Sequence, residues 1–158
     1  MYNMSNYEKI VEFHKAFGLV HNDDHEQSTL DDEALVKLRL GLIEEEFGEL
    51  KEAIKERDFT EVRDAIADLL YVTYGTASSF GIHADKDFDV IHKSNMTKLC
   101  KTEDEAKETV QWYKDNKLSV YDSPNYRLSN DKIHWVVYNE STGKILKSIN
   151  YQPVKFNE

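Results

Sequence analysis

Carboxylates at helical spacing mark the chemistry open to this chain. Along one helical pattern the inward row reads Leu35, Leu38, Leu42, Glu46, Glu49 and Ala53. Glu46 and Glu49 hold places where leucine is expected, and Glu45 shares a face with Glu49, four residues on. In the next pattern Glu61, Asp64 and Asp68 form a stripe beside Ala65, Leu69 and Val72. A carboxylate turned toward a core must be neutralised, paired or bound to a cation, because an isolated buried charge is prohibitively costly. Lys51, Lys55 and Arg57 fall outside the Glu46/Glu49 row, which leaves divalent cations as the counter-charge. Runs of acids are more often plain solvated faces. Two facts weigh against that here: the acids are in phase, and two acidic helices joined by a short connection are antiparallel neighbours by default.

The elements that must position these groups are legible in order. Ser5 and Glu8 have capping-box spacing and open a helix with Ile10, Phe13 or His14, and Phe17 inward, closed by Gly18. Residues 19–30 read as a polar loop, a candidate lid, in which His21, Asp23, Asp24 and His25 form a weak alternative metal group. A second helix runs from Asp31 to Glu56. It carries Arg39 one turn before the acids, a candidate phosphate contact or a surface ion pair, and Gly41 and Gly48 on one side, which suggests close approach of another backbone. A third helix runs from near Thr60 to Gly81, with Tyr71 continuing the Asp64/Asp68 stripe as a core tyrosine or a substrate contact. A fourth, near 85–99, has the seam Phe88, Ile91, Asn95 and Lys98/Leu99. Asn95 and Lys98 could serve a phosphate, and each is otherwise structural. A second capping box at Thr102–Glu105 begins a fifth helix ending near Asn116, and 117–131 reads as loop. The β-rich runs IHWVVY and KILKSI, around NESTG, signal a hairpin.

With 158 residues and a net charge of −10, the chain suits one domain and disfavours nucleic acid and anionic membranes as partners. The single cysteine, Cys100, excludes an internal disulfide and fits a reducing, cytoplasmic setting. No stretch approaches the ~18 apolar residues of a membrane span, and the N-terminus lacks signal-peptide character. We expect an all-α fold of four or five helices with a small C-terminal hairpin. Residues 1–100 would form a helical core and 101–158 an extension of the same domain, completed as a homodimer or homotetramer.

Glu45-Glu46-Phe47-Gly48-Glu49 matches an EExxE motif, and Ala67-Asp68-Leu69-Leu70-Tyr71 an ADLLY segment. With His92-Lys93-Ser94-Asn95-Met96-Thr97-Lys98, a SNxxK element, the chain resembles the MazG-like all-α nucleoside triphosphate pyrophosphohydrolases, which include dimeric dUTPases and phosphoribosyl-ATP pyrophosphohydrolase. The likeness covers residues 5–100 and, loosely, a tail at Gly143–Lys147 and Tyr151–Pro153. Glu61 and Asp64 satisfy the family's ExxD literally, whereas the ADLLY register makes Asp68 the motif aspartate and puts Ala65 where the glutamate belongs. Asp64 is then the replacement.

The resemblance implies Mg²⁺, with Mn²⁺ as a substitute, held by Glu46, Glu49, Asp64 and Asp68. Glu45 would be the base or a second-metal ligand, and Asn95, Lys98, Arg39 and Tyr71 would contact a nucleoside or deoxynucleoside triphosphate cleaved to the monophosphate and pyrophosphate. The alternatives are the same chemistry on phosphoribosyl-ATP in histidine synthesis, and a non-enzymatic acidic helical dimer that binds cations or a basic partner.

Overall fold

A computed structural model describes residues 3–116 and 120–156. The described residues form five α-helices and a two-stranded antiparallel sheet, and the chain divides into two compact units, residues 1–87 and 88–158.

In the first unit three of the helices begin where a side chain satisfies their free N–H groups. Ser5 Oγ accepts from Glu8 N–H at 3.3 Å and the Glu8 carboxylate accepts from Ser5 N–H at 2.7 Å, opening α1 (Asn6–Phe17). Its buried residues are Tyr7, Ile10 and His14, so the inward position is taken by His14, while Phe17 is exposed. A 3₁₀ turn, Gln27–Asp31, precedes α2 (Glu33–Glu56), which Asp32 caps through Leu35 N–H. Only Arg57 and Asp58 separate α2 from α3 (Phe59–Ser79). Arg57 adopts a left-handed conformation with φ 59°, and the Asp58 carboxylate accepts from the N–H groups of Thr60 and Glu61. A link this short folds α3 back along α2.

Small residues let the helices approach. Ala53, Ala65, Gly75 and Ala77 are buried, and a methyl on Gly75 would lie 3.2 Å from His14 Nε2 and 3.3 Å from Arg39 Nη1. Gly81 is required twice over, by its φ of 69° and by the Asp24 carbonyl, 2.1 Å from where a Cβ would stand. Among the described residues no atom lies within 4 Å of a Cβ built on Gly41 or Gly48, so the backbone approach expected there is not made by them. The loop after α1 is strapped down. Asn22 donates from its N–H to the Ser78 carbonyl at 3.0 Å and from Nδ2 to the Ser79 carbonyl at 2.6 Å, and His21 Nδ1 meets Ser78 Oγ at 3.0 Å. These bonds tie the start of the loop to the end of the third helix.

α4 (Ala84–Met96) crosses the division between the units, and its expected apolar seam is not buried: Phe88 and Ile91 are exposed and Ser94 is buried. In the second unit α5 (Glu103–Asn116) packs its Ala106, Val110 and Tyr113 against Val137, Leu146 and Cys100. The hairpin joins β1 (Pro124–Leu128), in a segment read from sequence as loop, to β2 (Trp135–Asn139), with Tyr126 opposite Val137. The KILKSI run supplies no full strand. It touches β2 through a single bridge, Tyr138 to Ile145, because Asn139 spends its side chain on Ser123, Asp122, Ser141 and Thr142 and turns the chain away. Residues 88–100 join this unit through paired hydrogen bonds of 2.8 Å between Cys100 and Trp135 and through Ser94 Oγ to Tyr151 and Gln152, whereas the sequence places the boundary near 100.

A helix-interior glycine ordinarily gains about 1 kcal/mol on becoming alanine. Gly75→Ala should instead lose about 1–2 kcal/mol in urea unfolding, because His14 and Arg39 are buried and have little room to yield. A raised urea midpoint would show that this contact can relax.

Candidate active site

The acids of α2 and α3 stand in one electrostatic field. Antiparallel folding sets Arg39 beside Gly75 near one end of the helix pair. Farther along, partial burial pushes the Glu46 carboxyl above the usual carboxylate range, and the charges of Glu49, Asp68, Glu45 and Asp64 push it further in the same direction. None of Glu45, Glu46, Glu49, Asp64 and Asp68 makes an ion pair among the described residues. Lys55, for example, is committed to Glu52 at 2.7 Å on the outer face.

Among the described residues no group of three or more His, Cys, Asp and Glu side chains forms a ready metal site. That holds for the loop group too, where His21 is bound to Ser78 and to Asp23 at 3.2 Å. The donor set on α2 and α3 is nevertheless all oxygen, uncompensated and anionic, which fits a hard divalent ion such as Mg²⁺ or Mn²⁺.

The remaining predicted residues divide. Arg39 is 5% exposed, and its Nε has no hydrogen-bond partner among the described residues. Loss of hydration lowers its pKa. His14, beside it, engages the Val20 carbonyl through Nδ1 at 2.7 Å, and burial lowers its pKa, with the Arg39 charge a smaller cause. Such a buried cation can meet a phosphate only if its surroundings open. The sequence signal for this pair was the ambiguity between Phe13 and His14 on the inward face of α1, which the Arg39–Gly75 contact resolves.

Tyr71 is exposed, with its ring edge-on to Phe13 at 5.5 Å. It lines a groove of about 230 Å³ between α1 and α3 with Asn6, Lys9 and Tyr74, and sequence reading identified none of these three. Tyr74 donates to Asp85 at 2.9 Å. Asn95 and Lys98 lie in the second unit, where Lys98 N–H closes a turn onto the Asn95 carbonyl at 3.1 Å.

Comparison with known proteins agrees with the motifs. Residues 10–95 match a family model described as phosphoribosyl-ATP pyrophosphohydrolase. The chain is also similar to an uncharacterized protein of Acanthamoeba polyphaga mimivirus, 28% identical over an alignment of 240 positions that covers 98% of this chain and 95% of that protein. The family match supports an activity of the nucleotide pyrophosphohydrolase type. No helix among the described residues is long and apolar enough to cross a membrane.

A carboxyl raised in the folded state favours folding while protonated, and stability falls as pH rises through that raised pKa. In chelator, Glu46→Gln should therefore raise the Tm at neutral pH and make less difference below about pH 4. Mg²⁺ or Mn²⁺ should raise the Tm of the wild type more than that of the variant. Equal metal responses in a thermal melt would remove Glu46 from any cation site.

Proposed function

The chain belongs to the phosphoribosyl-ATP pyrophosphohydrolase family, within the MazG-like all-α nucleoside triphosphate pyrophosphohydrolases, and from that footing we propose that it cleaves an NTP or dNTP to the monophosphate and pyrophosphate in a Mg²⁺-dependent reaction. The observation that carries this reading is the Glu46 carboxyl set in the field of Glu49, Asp68, Glu45 and Asp64 without an ion pair among the described residues.

In this proposal Glu46, Glu49, Asp64 and Asp68 hold the metal. When bound, Mg²⁺ offsets the negative charge of the triphosphate and of the pocket. Glu45, on the same helical turn, takes the proton from the attacking water. The water oxygen bonds to the α-phosphorus, the bond from that phosphorus to the bridging oxygen breaks, and pyrophosphate leaves with the electron pair. Tyr71, with Asn6, Lys9 and Tyr74 in the α1/α3 groove, gives the base a flat wall and polar groups at its edge. Arg39 meets the outer phosphates only where its packing opens. A cytoplasmic setting suits the buried free thiol of Cys100. The printed description of the family model favours one second reading, phosphoribosyl-ATP as substrate, with the same bond broken.

We also propose that the first unit is completed by a second copy. Leu38, Phe47, Ile54, Phe59 and Leu70 are exposed, and Ala34, Leu38, Gly41 and Glu45 line one shallow groove along α2. Gly41 and Gly48 continue that row with open space above them, as close helix packing between subunits requires. Gly41→Arg should lower the mass measured by sedimentation from dimer or tetramer toward monomer. A monomeric wild type would end this assignment.

A panel of NTPs, dNTPs and phosphoribosyl-ATP, assayed for pyrophosphate with Mg²⁺ and Mn²⁺, tests the reaction and separates the two substrates. Glu46→Gln and Glu49→Gln should each lower kcat by about 100-fold or more, a loss of about 2.7 kcal/mol or more in transition-state stabilisation, with helical content unchanged. Wild-type turnover in either variant, or no pyrophosphate from any substrate, would refute the mechanism.

A further inference from the structure

The net charge is divided unevenly. Residues 1–87 hold twenty acidic against nine basic residues, net −11, whereas residues 88–158 hold ten against eleven, net +1. The global charge that disfavours anionic ligands therefore belongs to the helical unit, and the C-terminal unit has to be read by itself. Among the described residues it also holds three cation–ring pairs: Arg127 over Tyr138, Lys144 over Tyr121 and Lys147 over Tyr151.

One of these pairs borders a groove of about 310 Å³, whose walls include Trp112, Tyr113, Lys147, Ile149 and Tyr151. Its floor is rigid. The buried Tyr113 hydroxyl accepts from Lys147 N–H at 3.1 Å and donates to the Lys147 carbonyl at 3.2 Å, which fixes the backbone that carries the lysine. The Lys147 ammonium stands 4.6 Å from the centre of the Tyr151 ring and makes no ion pair among the described residues. Trp112, which lines the same groove, is 46% exposed and stands edge-on to Tyr113 at 5.0 Å. An exposed indole offers a flat π-face that any nucleobase can stack upon. A lysine without a carboxylate partner offers a compact positive charge to a phosphate. A volume near 310 Å³ lies at the lower end of small-ligand pockets, the size class of a single nucleotide.

We infer that this groove of the C-terminal unit binds a mononucleotide, with the base against Trp112 and the phosphate at Lys147. The site uses none of the five carboxylates and needs no metal, and it stands or falls independently of the hydrolysis proposed above. Because stacking accepts every base, selectivity among the four bases is weak.

The full chain, kept in excess EDTA, is titrated with AMP, GMP, CMP and UMP, with the matching nucleosides and with inorganic phosphate, while tryptophan fluorescence is followed. The sequence has two tryptophans, Trp112 and Trp135, so Trp112→Phe identifies the reporter. Saturable quenching by the monophosphates is expected, absent in Trp112→Phe. In equilibrium dialysis Trp112→Ala should weaken binding about 10-fold. Lys147→Gln should weaken monophosphate binding about 10-fold and leave nucleoside binding unchanged. Glu46→Gln should bind as the wild type does. The inference is overturned by no saturable quenching up to millimolar nucleotide, by full monophosphate affinity in Lys147→Gln with native circular dichroism, or by loss of binding in Glu46→Gln. A thymidine dodecamer bound more than 10-fold tighter than TMP would assign the groove to single-stranded nucleic acid instead and overturn it likewise.

Discussion

Repulsion between carboxylates on one seam of a helix hairpin is the constraint on which this protein depends. α2 and α3 are folded together through a two-residue link, and that link gives the acids no freedom to separate along the helix axis. Glu46 therefore sits amid the charges of Glu49, Asp68, Glu45 and Asp64, and its own carboxyl is held above the usual range. A chain under no other demand would place leucine there, as it places Leu35 farther up the same row. Sites of function are where such conflicts between local packing and charge are expected.

The rest of the first unit is arranged around holding that hairpin closed. Asp32 and Asp58 cap the two helices, and Ala53, Ala65, Gly75 and Ala77 keep their axes near one another. His14 of α1 leans onto Gly75 next to the Arg39 guanidinium, and the strap of residues 19–26 is bonded to Ser78 and Ser79 at the far end of α3. Little large apolar surface is buried in this unit, and Leu38, Phe47, Ile54 and Leu70 remain open to solvent. Exposed apolar side chains on this scale mark a protein, membrane or ligand contact surface or an aggregation liability. The C-terminal unit is the reverse case. It has a contiguous core of Cys100, Ala106, Val110, Tyr113, Val137 and Leu146, closed by the Asn139 side-chain network. Nearly neutral and carrying three cation–aromatic pairs among the described residues, it differs from the first unit in chemistry as much as in secondary structure.

Sequence alone determined the helices and the acidic row. Capping residues, the 3.6-residue period and glycine stops mark α1, α2, α3 and α5 to within a few residues, since each signal acts on the nearest turn. The short link after Glu56 already implied that the two acidic stripes face each other, and EExxE with ADLLY located them. Tertiary structure decided what no local signal encodes. β2 could have paired with the KILKSI run or with the segment before it, and only the packing on α5 and the turn at Asn139 selected Pro124–Leu128. The burial of Arg39 depends on a histidine 25 positions earlier and a glycine 36 positions later, a contact between three helices that helical periodicity cannot foresee.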